Sequence, residues 1–307
     1  SNVFYDSLLT IVSSKRNVDY VSSLGFSLGY LGGGLLFALN VLMTLQPELF
    51  GLENKTEAVQ MSFVTVGLWW LIFTIPLMLF IKEERAQTHR VNFLLIKNGT
   101  KKFLDFFWKF RTRKNLFLFL IAYWLYIDGV DTIIRMAVDY GLSLGMGSQD
   151  LIVALLMVQF IGFPAALAYG YFGQKLGAKR ALFIGITLYI LITLWGAFME
   201  NKNEFFILAG LVGLVQGGIQ ALSRSYYARF IPQERSAEYF GIYNMMGKFA
   251  AIFGPSMMGL TGLLFRSMGF SSQMSSRFSI LSLLILFVSG AYLLYLVDEE
   301  KATAEAK

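Results

Sequence analysis

Four charged residues lie inside an apolar run long enough to cross a bilayer. In Asn115–Tyr140, NLFLFLIAYWLYIDGVDTIIRMAVDY, residues Asp128, Asp131, Arg135 and Asp139 fall at i, i+3, i+7 and i+11, on one face of an α-helix. A charge at the bilayer centre costs about 2.5–3.5 kcal/mol on insertion scales. Such a stripe must face protein or a water-filled cavity, and its chemistry is that of a substrate or ion pathway. Asp128 stands about 20 Å along the helix from Asn115 and is the first candidate for contact with a proton or a substrate amine. Asp131 and Arg135 can bind a substrate directly or neutralise one another, being one helical turn apart.

Other polar residues are sparse. Gln216 and Gln220, one turn apart, offer neutral hydrogen bonds to a polar solute. Asn244 and Lys248 lie in the next apolar run, and Lys248 calls for an acidic partner. Tyr123 and Tyr126 either line the same cavity or face lipid. Arg224 lies near the end of its run, where a snorkelling side chain is expected. There is no cysteine and one histidine, His89 in a polar stretch, which excludes thiolate nucleophiles and two-histidine zinc motifs. No glycine loop for nucleotides and no serine motif with a partner histidine is visible. The expectation is a protein that is not an enzyme and uses no metal or cofactor.

The elements that hold these residues are transmembrane helices. The chain is 56% hydrophobic and only 15% charged, against about 25% charged in soluble domains. Eight runs approach the roughly 20 residues that span a bilayer: 22–45, 58–81, 115–140, 150–171, 181–199, 205–228, 239–265 and 278–297. Unpaired backbone in lipid must satisfy its own hydrogen bonds, so these are helices. Residues 2–12 read as the cytoplasmic end of one more helix, and helices preceding the chain are expected. Small faces at helical spacing, Gly25, Gly29, Gly32 and Gly33 and then Gly213 and Gly217, suit close helix packing. Gly254-Pro255 predicts a kink within its span.

Charge sets the orientation. Residues 82–114 hold ten Lys/Arg against three acids, a topology signal before any nucleic-acid signal. With that loop in the cytoplasm, cytoplasmic segments carry 19 basic residues and external ones 4. Within the loop, Thr100 caps KKFLDFFWKFR, which reads either as an interfacial helix on anionic lipid or as a linker with an apolar patch. The chain thus divides into 1–81, the end of one helical half, 82–114, a basic central loop, 115–297, a second half of six helices, and 298–307, a cytoplasmic tail. Polarity repeats every third span. Spans 115–140 and 205–228 are polar, 150–171 and 239–265 intermediate, and 58–81, 181–199 and 278–297 uncharged inside. Inverted three-helix repeats produce this pattern, with the first pair lining a cavity and the last group peripheral.

Six spans after a basic central loop resemble the C-terminal half of the major facilitator superfamily. GYFGQKLGAKR, 170–180, resembles its cytoplasmic loop signature through Gly170, Lys175, Gly177 and Lys179, departing at Gln174 and Ala178. Gly177 would allow the tight turn, while Lys175 and Lys179 anchor the cytoplasmic side. More narrowly, FYDSLL (4–9), SSLGFSLGYLGGGL (22–35), YIDGVDTIIRMA (126–137) and GLVQGGIQALSRSYYARFIPQERSAEYFGIYNMMGKFAAIFGP (213–255) resemble the vacuole-effluxer-like family. Its members are autophagy-related vacuolar amino-acid effluxers of fungi and their bacterial relatives.

The resemblance implies an all-α major-facilitator-type bundle, with a complete C-terminal half joined to the end of the N-terminal half. It implies export of amino acids or similar small solutes from a plasma or bacterial inner membrane, or a vacuolar membrane in a fungus. A zwitterion would meet Asp128 with its ammonium and Arg135 or Lys248 with its carboxylate, beside Asp131, Gln216, Gln220, Asn244 and Tyr126. Lys175, Gly177, Lys179 and Arg224 would serve gating at the cytoplasmic face. Proton coupling through Asp128 or Asp131 is a further expectation, because burial disfavours a charged carboxylate. The expected partners are solute, proton, membrane lipid and the remaining helices. The rival readings are a lipid or lysolipid exporter and a sensor or scaffold without turnover.

Overall fold

The computed structural model describes residues 2–81, 113–143 and 145–305. Among them are ten α-helices, two short 3₁₀ turns and no strand. The helices are α1 (Asn2–Val12), α2 (Val18–Leu45), α3 (Lys55–Phe80), α4 (Lys114–Ser143), α5 (Ser148–Leu176), α6 (Ala178–Phe198), α7 (Lys202–Ala228), α8 (Ser236–Ser267), α9 (Ser272–Leu296) and α10 (Glu299–Glu305). Eight, α2 to α9, are long and apolar enough to cross a membrane, and they are the eight spans expected. His89, the Thr100-capped segment and nearly all of the 82–114 loop lie outside the described residues.

Local sequence fixes the helix ends. Asn54, Asn201 and Ser271 accept hydrogen bonds from the backbone N–H groups of Glu57, Glu204 and Met274, satisfying donors that a first turn leaves free. Glu204 returns a bond to the Glu200 N–H at 3.1 Å. Gly177 takes φ +89° between α5 and α6, a conformation suited to glycine, as its place in the loop signature implied.

The chain forms two compact units, 1–31 with 112–307, and 32–111. In the second unit, the outer part of α2 meets α3. Thr65 donates to Asn40 Oδ1 at 2.9 Å, the Trp69 indole lies near Gly32, and most of α3 exposes apolar side chains.

In the first unit, α4–α6 and α7–α9 behave as repeated triplets. The first helix of each triplet packs on the second and third of the other: α4 on α8 and α9, α7 on α5 and α6. The third helices, α6 and α9, pack on one another. Tyr189 stacks on Phe287 at 5.5 Å there, while Ile184, Leu191, Ile285 and Val288 stay exposed. The seam between α5 and α7 depends on missing side chains. A Cβ on Gly218 would lie 2.1 Å from the Tyr169 ring, and one on Gly213 would lie 3.1 Å from the Val158 carbonyl oxygen. Gly29, expected to serve packing, has open space around it.

Three residues singled out in the sequence make defined packing or hydrogen-bond contacts. Tyr126 is fully buried and shares a 2.7 Å hydrogen bond with Ser223. Tyr123 stacks on Tyr243 at 4.2 Å in an aromatic core that joins α4, α7 and α8. Lys179 caps the end of α9. It donates to the carbonyls of Val297 and Tyr295 at 2.6 and 3.1 Å, at the end of α9, where carbonyls lack helical donors and a cation is favoured. Lys175 is exposed and lies over the Tyr171 ring at 4.4 Å.

The charge asymmetry gives an expected result. In intact cells, Lys15→Cys and Lys301→Cys should resist a membrane-impermeant thiol reagent, and Lys55→Cys should react. Labelling of either of the first two from outside would invert the topology.

Candidate functional site

Where α1 and the start of α2 meet the end of α7 and the start of α8, two acids from one side receive two arginines from the other. Arg224 is 5% exposed. Its Nη1 donates to Asp6 Oδ1 at 3.0 Å, its Nε to Ser22 Oγ at 3.0 Å and its Nη2 to the Ser22 carbonyl at 2.9 Å. The guanidinium also lies over the Phe26 ring at 4.7 Å and near the Tyr5 ring at 5.4 Å, a cation–π arrangement. Asp6 Oδ2 accepts from Asn244 at 2.8 Å. One turn before Ser22 in α2, Asp19 is fully buried. It accepts from the Ser225 hydroxyl at 2.6 Å and from Arg229. Ser22 Oγ donates to the Ala221 carbonyl at 2.7 Å. Both carboxylates are therefore paired and hydrogen-bonded, the condition under which buried ions are tolerated.

Small residues make the approach possible. A Cβ on Gly25 would stand 2.8 Å from the Tyr5 hydroxyl and 3.3 Å from Arg224 Nη2. Higher in α2, the Tyr30 ring is seated between Gly162 of α5 and Gly217 of α7, where added Cβ atoms would come within 2.9 and 2.7 Å of it. Ser27 donates to the Phe163 carbonyl at 2.8 Å. One face of α2, through Asp19, Ser22, Ser23, Ser27 and Tyr30, is thus fitted to α5 and α7 along the first half of the helix.

The predicted stripe on α4 is graded in burial. Asp128 is 1% exposed, Asp131 is partly buried, and Arg135 and Asp139 are exposed. Asp128 Oδ1 accepts from the Gly254 N–H at 3.0 Å, beside Pro255, whose ring removes a helical donor. A Cβ on Gly254 would lie 2.0 Å from Thr132 Oγ1, so α4 and α8 are in close contact there. Asp128 Oδ2 and Thr132 Oγ1 are buried without hydrogen-bond partners among the described residues. Asp131 feels the charge of Arg135, but among the described residues the two form no ion pair. Lys248 is exposed and likewise has no ion-pair partner among them.

The structure does not bring all the expected residues together. Gln216 lines a cavity of about 140 Å³ whose α4 wall is Ile133, Ala137 and Tyr140 rather than the charged stripe. Its Oε1 is buried and unpartnered. Gln220 is partly buried without a hydrogen bond among the described residues. Asn244 belongs to the ion-pair seam rather than to the stripe. Arg224 is corrected outright. It does not snorkel to water, because Asp6, Ser22 and two aromatic rings hold it inside.

Eight apolar helices and a repeated three-helix packing pattern make this a multi-pass integral membrane protein with a helical bundle of the major facilitator type. The chain belongs to the vacuole effluxer Atg22-like family, whose sequence profile matches residues 11–307. It is 38% identical to YxiO of Bacillus subtilis, described as an uncharacterized MFS-type transporter, over 99% of this chain and 69% of that protein. It is 24% identical to autophagy-related protein 22 of Yarrowia lipolytica over 96% of this chain, and 27% identical to autophagy-related protein 22-1 of Aspergillus fumigatus over 82%. These matches span 53% and 45% of the two fungal proteins, so the chain covers about half their length.

Proposed function

We propose that this chain belongs to a secondary transporter that moves a small polar solute by alternating access, and that the Asp6–Arg224 and Asp19–Arg229 pairs close its cytoplasmic side. The observation that carries this reading is the buried Arg224, tied to residues more than 200 positions earlier in the chain. Buried ion pairs add little net stability compared with apolar packing. They do supply an interface that is satisfied when closed and that water can satisfy when open. Amino acids are the solute class that the family resemblance implies. Asp131, Arg135 and Lys248, which lack ion-pair partners among the described residues, are the charges we assign to a zwitterion. Asp128 is the residue we assign to a coupled proton.

The test is uptake and efflux of a labelled amino-acid panel by vesicles containing the full-length protein. Saturable transport of at least one member is expected, driven by a proton gradient. Absence of transport across the panel would remove the amino-acid reading. A lipid or lysolipid exporter is the second reading, favoured by the apolar lining of the cavity at Gln216. Lysolipid flipping without amino-acid flux would select it.

A further inference from the structure

A second cavity, of about 280 Å³, opens at the cytoplasmic end beside the seam, between the α1–α2 turn, the α7–α8 turn and α10. Its wall includes Ser13, Ser14, Lys15, Arg229, Gln233 and Thr303, and among the described residues the charged side chains that line it are the two cations. Glu299 and Glu300 line the adjoining cleft, which shares Thr303 with this cavity. Arg229 is incompletely satisfied. It donates to Asp19 through Nη2, while its Nε is buried without an acceptor. Lys15 is exposed and unpaired among the described residues.

We propose that this cavity binds a phosphate-class anion, and that the anion draws Arg229 away from Asp19 and loosens the cytoplasmic seam. The proposal rests on the reading of that seam as a closure. A tetrahedral oxyanion presents several acceptors to a guanidinium fork and accepts a second cation, here Lys15. Asp19, fully buried, would keep only the Ser225 hydroxyl. A buried charge stripped of its cation is strongly unfavourable, so the ligand favours the state in which α2 has left α7 and Asp19 meets water. The phosphate can be a free ion or the headgroup of an anionic lipid, since the inner leaflet concentrates such headgroups at this depth.

Ser23 offers a readout. It is buried against Gly170, and the chain contains no cysteine. In the full-length protein freed of any other thiol, Ser23→Cys should react slowly with a cytoplasmic thiol reagent while the seam is closed. In neutral phosphatidylcholine vesicles, inorganic phosphate should raise the labelling rate by about tenfold, a shift of about 1.4 kcal/mol. If the lipid headgroup is the source, phosphatidylglycerol should do so instead of free phosphate. Lys15→Gln should abolish the response and leave the basal rate unchanged, whereas Lys15→Arg should retain it. No response to either anion would overturn the proposal. So would an equal response to chloride at matched ionic strength, or one that survives Lys15→Gln. Arg224→Gln separates the two readings. If it opens Ser23→Cys to labelling and the anions do not, only the anion site falls; if neither opens it, both fall.

Discussion

Arg224→Gln is expected to expose the cytoplasmic seam and stall the transport cycle. The substitution leaves Asp6 buried with Asn244 as its remaining partner and removes the guanidinium from between Phe26 and Tyr5. Breaking a buried pair by removing one partner costs about 3–5 kcal/mol, roughly a hundred- to several-thousand-fold in an equilibrium. The closed state bears that cost, because an open face hydrates Asp6. The labelling rate of Ser23→Cys should therefore rise by a comparable factor. Asp6→Asn alone should raise it less, since an amide still accepts from Arg224. The double substitution should cost less than the sum of the two, and that difference is the coupling of the pair. An unchanged labelling rate in Arg224→Gln would show that the ion pair does not hold the face shut.

Asp128→Asn is expected to cut proton-driven accumulation by more than about tenfold, the range in which general acid–base roles are felt, while the protein stays folded. Asparagine keeps the oxygen that accepts the Gly254 N–H. Its amide can also donate to Thr132 Oγ1, which lacks a partner among the described residues. Thermal unfolding should therefore change by a few degrees at most. If Asp128 carries the coupled proton, solute exchange survives while accumulation driven by pH is lost. If it only meets the solute's amine, both fall together. A stable variant with accumulation and exchange intact would make Asp128 a helix tie and nothing more.

The spans were legible because each is a continuous apolar run ended by charge or by a cap such as Asn54 or Asn201. The Gly177 turn was legible from its place in a recognisable loop. The burial of Asp128 is what a charge within an apolar span requires, but its acceptance of the Gly254 N–H is not legible, since two glycine-bearing helices meet there in three dimensions. The seam itself was hidden. Asp19 reads as an ordinary acid in the first turn of a helix, and Asp6 lies in a short apolar stretch. Their partners come more than 200 residues later. Arg224 was misread for a related reason. Position near a span's end suggests snorkelling, and only the facing acid reveals that the side chain turns inward. Lys179 carries the same lesson, because its acceptors are carbonyls of another helix and carbonyls leave no trace in a side-chain pattern.

The order of the seam's residues along the chain has a consequence for how the protein is made. Both acids are translated before the basic loop and both arginines after it, with Arg224 following Asp6 by 218 positions. At about 5–20 residues per second, Asp6 waits roughly 10–45 s for its cation. During that interval α1 and α2 carry carboxylates whose burial nothing yet compensates. They must stay at the water-facing surface or be sheltered by the insertion machinery until α7 emerges. Packing of α1 and α2 against α7 is therefore a late event, timed by the arrival of an arginine.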